Sequence, residues 1–386
     1  MKILIGADIV PTKSNQDYFT NGEVGKLIDP KLKATLEEAD YRIFNLEVPL
    51  TDVRSPLFPY RFTLYAPVST VAGLKALGID FVTIANNHIL DQNTQGLYST
   101  IEALNENDIS FAGAGSTLKD ASKAFSFKKN GITVGIYCCA EHEFSIATND
   151  TAGANPFDPL DSLDQIDELK EKVDYCIVLY HGGKEHYRYP SPNLQKACRK
   201  MVNKGADLVV CQHSHCIGCE EKYNEGTIVY GQGNFLFDNS ESKYWQTAML
   251  IEVNLCDEIF INYLPIVKAG ASVRMASLSE TDEIMSDFYD RNRRITENNF
   301  VEKQYIMFAA QSIEDYLYFI SGRNIIIRII NRLSGYRFQH YYLKKKYNEK
   351  KRIALMNVIE CEAHRELFIR GLSVFSYSPT NNESHE

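Results

Sequence analysis

The run Cys211-Gln-His-Ser-His215 offers two imidazoles one residue apart, directly after the apolar stretch 206–210. In an extended strand alternate residues share a face. His213 and His215 can therefore address one pocket, a common way to aim two imidazoles at a metal ion. A polar loop with two solvated histidines is the plain alternative, so the other polar strand tips decide. Asp8 closes the apolar run 2–8. Asn45 and Glu47 sit two apart in Tyr41–Glu47, hence on one face. Asn86-Asn87-His88, with Asp91 following, ends the run 78–85, and His181-Gly-Gly, with Glu185 following, ends 175–180. Gly231-Gln-Gly-Asn234 follows the run 227–230. Singly, each has a dull reading as a turn or cap residue. Together, Asp8, Glu47, Asn87, His88, His181, His213 and His215 make the ligand set of a two-metal hydrolase. Carboxylate, amide and imidazole donors suit Mn, Zn, Fe or Co. In such a centre one carboxylate bridges ions about 3.5–4 Å apart.

Such a set needs a scaffold that brings strand ends together. The chain up to about residue 270 alternates short apolar runs with helical patterns, the mark of an α/β fold whose sites lie at the carboxyl ends of its strands. Helical patterns cover 31–39, 68–77, 95–107, 162–172 and 191–204, and 49–67 reads as a loop. Asn130-Gly131 between two apolar runs predicts a hairpin. The polar, Pro/Gly-punctuated stretch 141–160 is long enough to be a functional excursion. Two further strands are expected near 246–254 and 259–267. Beyond about 270 the strand pattern stops and helices follow at 282–293, 301–320, 323–334 and 340–372, the last broken near Asn348. The expected domains are thus 1–270 and a helical accessory region 271–386, whose last ten residues read as a disordered tail.

Composition narrows the classes. The 386 residues carry a net charge of −9, which argues against a general nucleic-acid binder. No signal-peptide pattern opens the sequence, and no transmembrane run of about 18 apolar residues occurs. The expected location is cytoplasmic, or peripheral to the membrane through the basic run Lys344–Arg352. The nine cysteines are odd in number, and Cys138, Cys176 and Cys211 fall in apolar runs, which suits buried thiols. Cys216-x-x-Cys219 offers a rival reading as a zinc knuckle with one of the histidines.

The chain resembles the CapA-type poly-γ-glutamate capsule biosynthesis proteins, a family placed with the calcineurin-like metallophosphoesterases. The matching stretches are Gly6-Ala-Asp8, Phe44-Asn-Leu-Glu-Val-Pro-Leu-Thr51, Ala85-Asn-Asn-His-Ile-Leu-Asp91, Gly113-Ala-Gly115, His181-Gly-Gly-Lys-Glu185, Gly205–His215 and Tyr230–Asp238. The resemblance covers about residues 1–270. It implies a four-layer α/β/β/α sandwich and one or two divalent metal ions. By the same resemblance Glu47 bridges both ions. Asn87, His181 and His213 complete one, and Asp8 and His215 serve the other. His88 donates a proton to the leaving oxygen, oriented by Asp91. Asn45, Asn86, Glu185 and Asn234 line the substrate side or support the ligands.

The sequence departs from the usual pattern at four places. Val10 stands where metallophosphoesterases carry a histidine, and Glu47 where they bridge with aspartate. His181-Gly182-Gly183 replaces His-Trp-Gly, and Cys211-Gln212 replaces Gly-His. The resemblance implies a metal-dependent hydrolase acting on an anionic surface polymer or a phosphorylated precursor, working with capsule-synthesis proteins. A non-catalytic capsule-assembly scaffold and an amide or peptide hydrolase are the alternatives.

Overall fold

The structure is a computed structural model and describes all residues except 59–61, 239, 257, 323–324, 335–336 and 376–386. The tail expected to be disordered lies outside the described residues. The chain divides by its internal contacts into two units, Met1–Glu302 and Lys303–Glu386.

Two sheets organise the first unit. One runs Ser272–Met275, Ile259–Ala269, Thr247–Leu255, Lys2–Val10, Tyr41–Leu46, Phe81–Thr83, Ser110–Ala112, with Asn234–Phe237 also paired to Lys2–Val10. The other runs Glu220–Tyr223, Gly226–Tyr230, Leu208–Gln212, Tyr175–His181, Ile132–Ala140, Phe125–Lys129. The central strands of the second sheet and one half of the first are parallel. Parallel neighbours point their carboxyl ends the same way, so polar tips gather along one rim.

Side-chain parity shows the layering. In Ile132–Ala140, Val134, Ile136 and Cys138 join the large core shared with Ile3, Ile5 and Ile43 of the first sheet. Tyr137 and Cys139, between them, pack the other way against Ile166 of helix Asp161–Lys170 and Met201 of helix Pro192–Asn203. The same alternation holds for Ile177 and Leu179 against Val178 and Tyr180. Leu36, Leu74 and Leu104, from helices Pro30–Glu37, Val71–Ala76 and Asn93–Glu106, extend the core on the first sheet's side. Helix, sheet, sheet and helix form the expected four layers. Gly6 is required by this packing, since a Cβ there would stand 1.8 Å from the Phe44 ring.

Local rules explain several elements. Asn130 and Gly131 both take positive φ in a tight turn between antiparallel Phe125–Lys129 and Ile132–Ala140. Gly113, at φ +95, turns the chain between the strands Ser110–Ala112 and Ala114–Gly115. Asn348 caps helix Glu349–Glu360 by accepting from Lys351 N, which is why the long helical stretch breaks there.

The domain boundary expected at 270 falls instead after Glu302. Helix Leu278–Arg294 belongs to the first unit because its contacts do. Ser277 and Glu280 form a capping box, and Arg274 grips Glu280 with two hydrogen bonds of 2.8 and 2.7 Å. Phe288 is fully buried with Ile217 and Met249, its ring 4.8 Å from Tyr263. Arg291 Nε donates to Gly218 O at 2.7 Å, so this helix also fixes the chain just past His215. Phe288→Ala should cost about 3–5 kcal/mol, read as a lower denaturation midpoint.

Candidate metal centre

The polar tips meet where the two sheets' carboxyl ends come together. Strand register brings the first three into line, with Asp8 opposite both Asn45 and Asn234. Irregularities in register flank Asp8 on both pairings, and such bulges re-aim side chains beside sites. His181 closes its strand opposite Gln212, so the turn carrying His213 begins beside it.

His213 and His215 do not lie in an extended strand, as the alternation argument expected. The strand ends at Gln212, and the two residues take φ of 82 and 50. Left-handed backbone is unfavourable for non-glycine residues and collects at functional sites. The kinked turn, rather than strand alternation, aims both rings inward.

Glu47 lies at the centre and is fully buried. Its Oε1 is 3.3 Å from His181 Nε2 and 4.0 Å from His215 Nε2. Neither carboxylate oxygen has a hydrogen-bond partner, and Asp8 Oδ2 has none either, although His215 Nδ1 is 3.3 Å away. His181 Nε2 also lies 3.0 Å from Asn87 Oδ1 and 3.1 Å from His213 Nδ1. Glu47, His213 and His215 each place a ligand atom within 4.8 Å of the others. Orphaned buried carboxylate oxygens are costly. Lone-pair atoms converging this closely fit a divalent cation between them, and the donor set suits Mn, Zn, Fe or Co.

The second ring of contacts holds these donors. Asn45 Nδ2 donates to Asp8 Oδ1 at 2.8 Å and lies 3.3 Å from His181 Nδ1. Asn86 Nδ2 donates to Asn45 Oδ1 and Leu46 O, while its own Oδ1 accepts from His88 N. Asn234 Oδ1 is 2.9 Å from His215 Nδ1. Such partners orient ligands and fix imidazole tautomers. His88 Nδ1 lies 2.7 Å from Asp91 Oδ2, which also accepts from Leu64 N.

The charges are divided unequally. Burial opposes ionisation of Glu47, but His215 and His181 outweigh it and hold it well below the usual carboxylate range. Burial and the Glu47 charge raise Asp8, against His215. Burial pushes His213 well below its ordinary value, with His181 and His215 adding to it, so its imidazole is neutral. Burial also opposes charge on His215, but Glu47 and Asp8 prevail and push it up to about 9.

A cation that took His215 as a ligand would therefore have to displace a proton from it at neutral pH. That proton stabilises the metal-free fold fully below 6.5, and the contribution fades as pH climbs through about 9. Metal affinity should accordingly rise with pH, by up to about tenfold per unit, and level off above the His215 pKa. Calorimetry in buffers of different ionisation enthalpy should show the released proton. A flat affinity between pH 6 and 9 would contradict this picture.

Not every expected residue joins the cluster. Glu185 is exposed on the loop beyond His181, because Gly183, at φ +113, turns the chain away. Glu141 and Glu143 occupy that side instead. Glu141 Oε1 accepts from Gly183 N at 3.0 Å, and a Cβ on Gly182 would stand 2.8 Å from its Cγ. Glu143 Oε1 is 3.4 Å from Asn87 Nδ2 and 3.9 Å from His213 Nε2. Both come from the polar excursion 141–160, whose length was the only signal for them. Trp245, the sole tryptophan, was also missed; its ring is 4.9 Å from His215. Val10 is buried in the apolar core and offers no donor. Cys216 and Cys219 are buried thiols whose pKa values burial raises, and the histidines face Glu47 rather than a zinc knuckle.

Residues 4–239 match the family described as bacterial capsule synthesis protein PGA_cap. The chain belongs to this family. It is 31% identical to the capsule biosynthesis protein CapA of Bacillus anthracis over 200 residues, 50% of this chain and 48% of that protein. It is 29% identical to the PGA biosynthesis protein CapA of Bacillus subtilis (strain 168) over 227 residues, 58% and 59% of the two chains. The matches thus span about half the length of these PGA_cap relatives. Among solved structures the chain resembles a putative 5'-nucleotidase from Staphylococcus aureus, with 14% identity, 75% and 58% of the two chains covered and a TM-score of 0.42. The PGA_cap match ends at residue 239, so it holds every residue of the cluster, including Asn234.

Proposed function

We propose that this chain is a metal-dependent hydrolase acting on a phosphoester of an anionic surface polymer or of its precursor. The observation that carries the reading is Glu47, whose two buried carboxylate oxygens lack partners amid His181, His213 and His215. Glu47 would bridge two cations, with Asn87, His181 and His213 completing one and Asp8 and His215 holding the other. Bound cations would supply Lewis acidity and an activated water. His88, oriented through Nδ1 by Asp91, keeps Nε2 free to protonate the leaving oxygen. Burial works against charge on His88, but Asp91 raises its pKa, which favours the proton-carrying form at neutral pH. A cleft of about 630 Å³ beside Asp91, lined by Thr12, Lys13, Ser14, Phe62, Leu64 and Tyr65, would admit the substrate, with Lys13 meeting its anionic groups.

The test loads purified protein with Mn or Zn, measures metal content, and assays phosphomonoesters, phosphodiesters and amides. The reading expects bound metal and phosphoester turnover that His88→Ala lowers about 10²–10⁴-fold. Absence of metal after loading sinks it. Metal without turnover supports the scaffold, and amide cleavage alone supports the peptide or amide hydrolase.

A further inference from the structure

In the helical unit Lys303–Glu386 one helix buries Ile327 and Asn331 on one face and leaves an apolar stripe uncovered on another. In helix Ile325–Leu333, Ile325, Ile329 and Leu333 are 63%, 54% and 83% exposed. At i, i+4 and i+8 they form one stripe. Asn331 is 5% exposed, its amide donating to Gln339 Oε1 and its oxygen accepting from Gln339 N, at 3.0 and 2.9 Å. A helix packed for water buries its apolar stripe and exposes its amides. Other elements repeat the anomaly, with Phe319 and Ile320 exposed before this helix and Leu367, Phe368 and Leu372 exposed in helix Glu362–Phe375. Exposed apolar surface in this amount marks an interaction site.

Charge says what covers it. Residues 303–386 carry thirteen Lys and Arg against eight Asp and Glu, a net +5, which leaves the first 302 residues at −14. Lys344, Lys345, Lys350, Lys351 and Arg352 are exposed, and Lys345 Nζ lies 4.9 Å over the Tyr341 ring. Exposed apolar stripes together with lysines and tyrosines are the composition of helices lying at a bilayer surface. No described helix is long and apolar enough to cross a membrane.

We propose that this unit docks on an anionic lipid surface. The Ile325–Ile329–Leu333 stripe enters the headgroup–acyl boundary, and the basic residues meet the lipid phosphates. Two copies meeting through the same face would oppose +5 with +5, whereas an anionic leaflet attracts it. The inference is independent of the hydrolase reading and would stand if that reading failed.

Co-sedimentation of the full chain with phosphatidylcholine vesicles, with and without phosphatidylglycerol, tests it. Binding should require phosphatidylglycerol and weaken with salt. The pair Ile329→Asp and Leu333→Asp should weaken binding by at least about tenfold. The uncharged pair Ile329→Gln and Leu333→Gln should do so too, with unchanged helical circular dichroism. Binding that ignores lipid charge, or that survives both pairs, overturns the proposal. So does a dimer in sedimentation velocity that the Gln pair dissolves while vesicles capture nothing.

Discussion

Glu47→Gln should empty the metal centre and abolish hydrolytic turnover. The substitution keeps shape and removes the one charge that both cations would share. Loss of a supporting partner typically costs about 10–100-fold in metal affinity. Loss of the bridging ligand should exceed that for both ions. The charge balance adds to the effect. Glu47 is the carboxyl held ionised here, while Asp8 is raised toward its protonated form. Without Glu47, Asp8 alone of the two buried carboxyls would remain to offset the cations and His215, and burial still opposes its ionisation even though the Glu47 charge no longer raises it. Trp245 gives a readout that needs no substrate, because its ring lies 4.9 Å from His215. Metal addition should change the emission of this single tryptophan in the native protein and leave the variant unchanged. A variant that retains metal stoichiometry and affinity would remove Glu47 from the bridging role.

The residues gathered at the rim were legible in the sequence because buried strands ending in polar clusters are expensive. Asn86-Asn87-His88 after an apolar strand, or His181 at the tip of another, makes sense only if those groups face one another or a ligand. Parallel pairing then does the assembly, and strand order along the chain is enough to suggest it. The backbone of His213 and His215 was not legible. Alternation assumes extended φ, and nothing in Cys211–His215 announces two left-handed residues in place of glycines. Glu141 and Glu143 escaped for another reason. They reach the cluster from a long loop, and loop paths are set by tertiary contacts such as Gly183 N to Glu141. Glu185 was expected from the resemblance alone, and its exposure on the loop beyond Gly183 keeps it outside the cluster. The boundary at Glu302 was hidden by the polar character of Leu278–Arg294, where Phe288 and Arg291 make the anchoring contacts.

His88→Ala separates metal binding from proton transfer. His88 pairs with Asp91 through Nδ1, and its backbone N is held by Asn86, which ties it to the cluster's edge. None of the oxygens left without partners belongs to His88 or Asp91. The variant should therefore keep full metal content and the Trp245 response, while kcat falls about 10²–10⁴-fold, the usual yield of a positioned general acid. Asp91→Asn tests the orienting role with a different signature. Asp91 raises the His88 pKa, so its loss should shift the alkaline limb of the kcat profile to lower pH, since His88 then gives up its proton sooner. It should also destabilise the fold, because the same carboxylate accepts from Leu64 N within the loop that borders the cleft. An Asp91→Asn enzyme with reduced stability but an unmoved pH limb would make Asp91 a fastener of that loop alone. A His88→Ala enzyme with undiminished phosphoester turnover would hand the protonation step to another residue, and Glu143, beside Asn87 and His213, would be the next to replace.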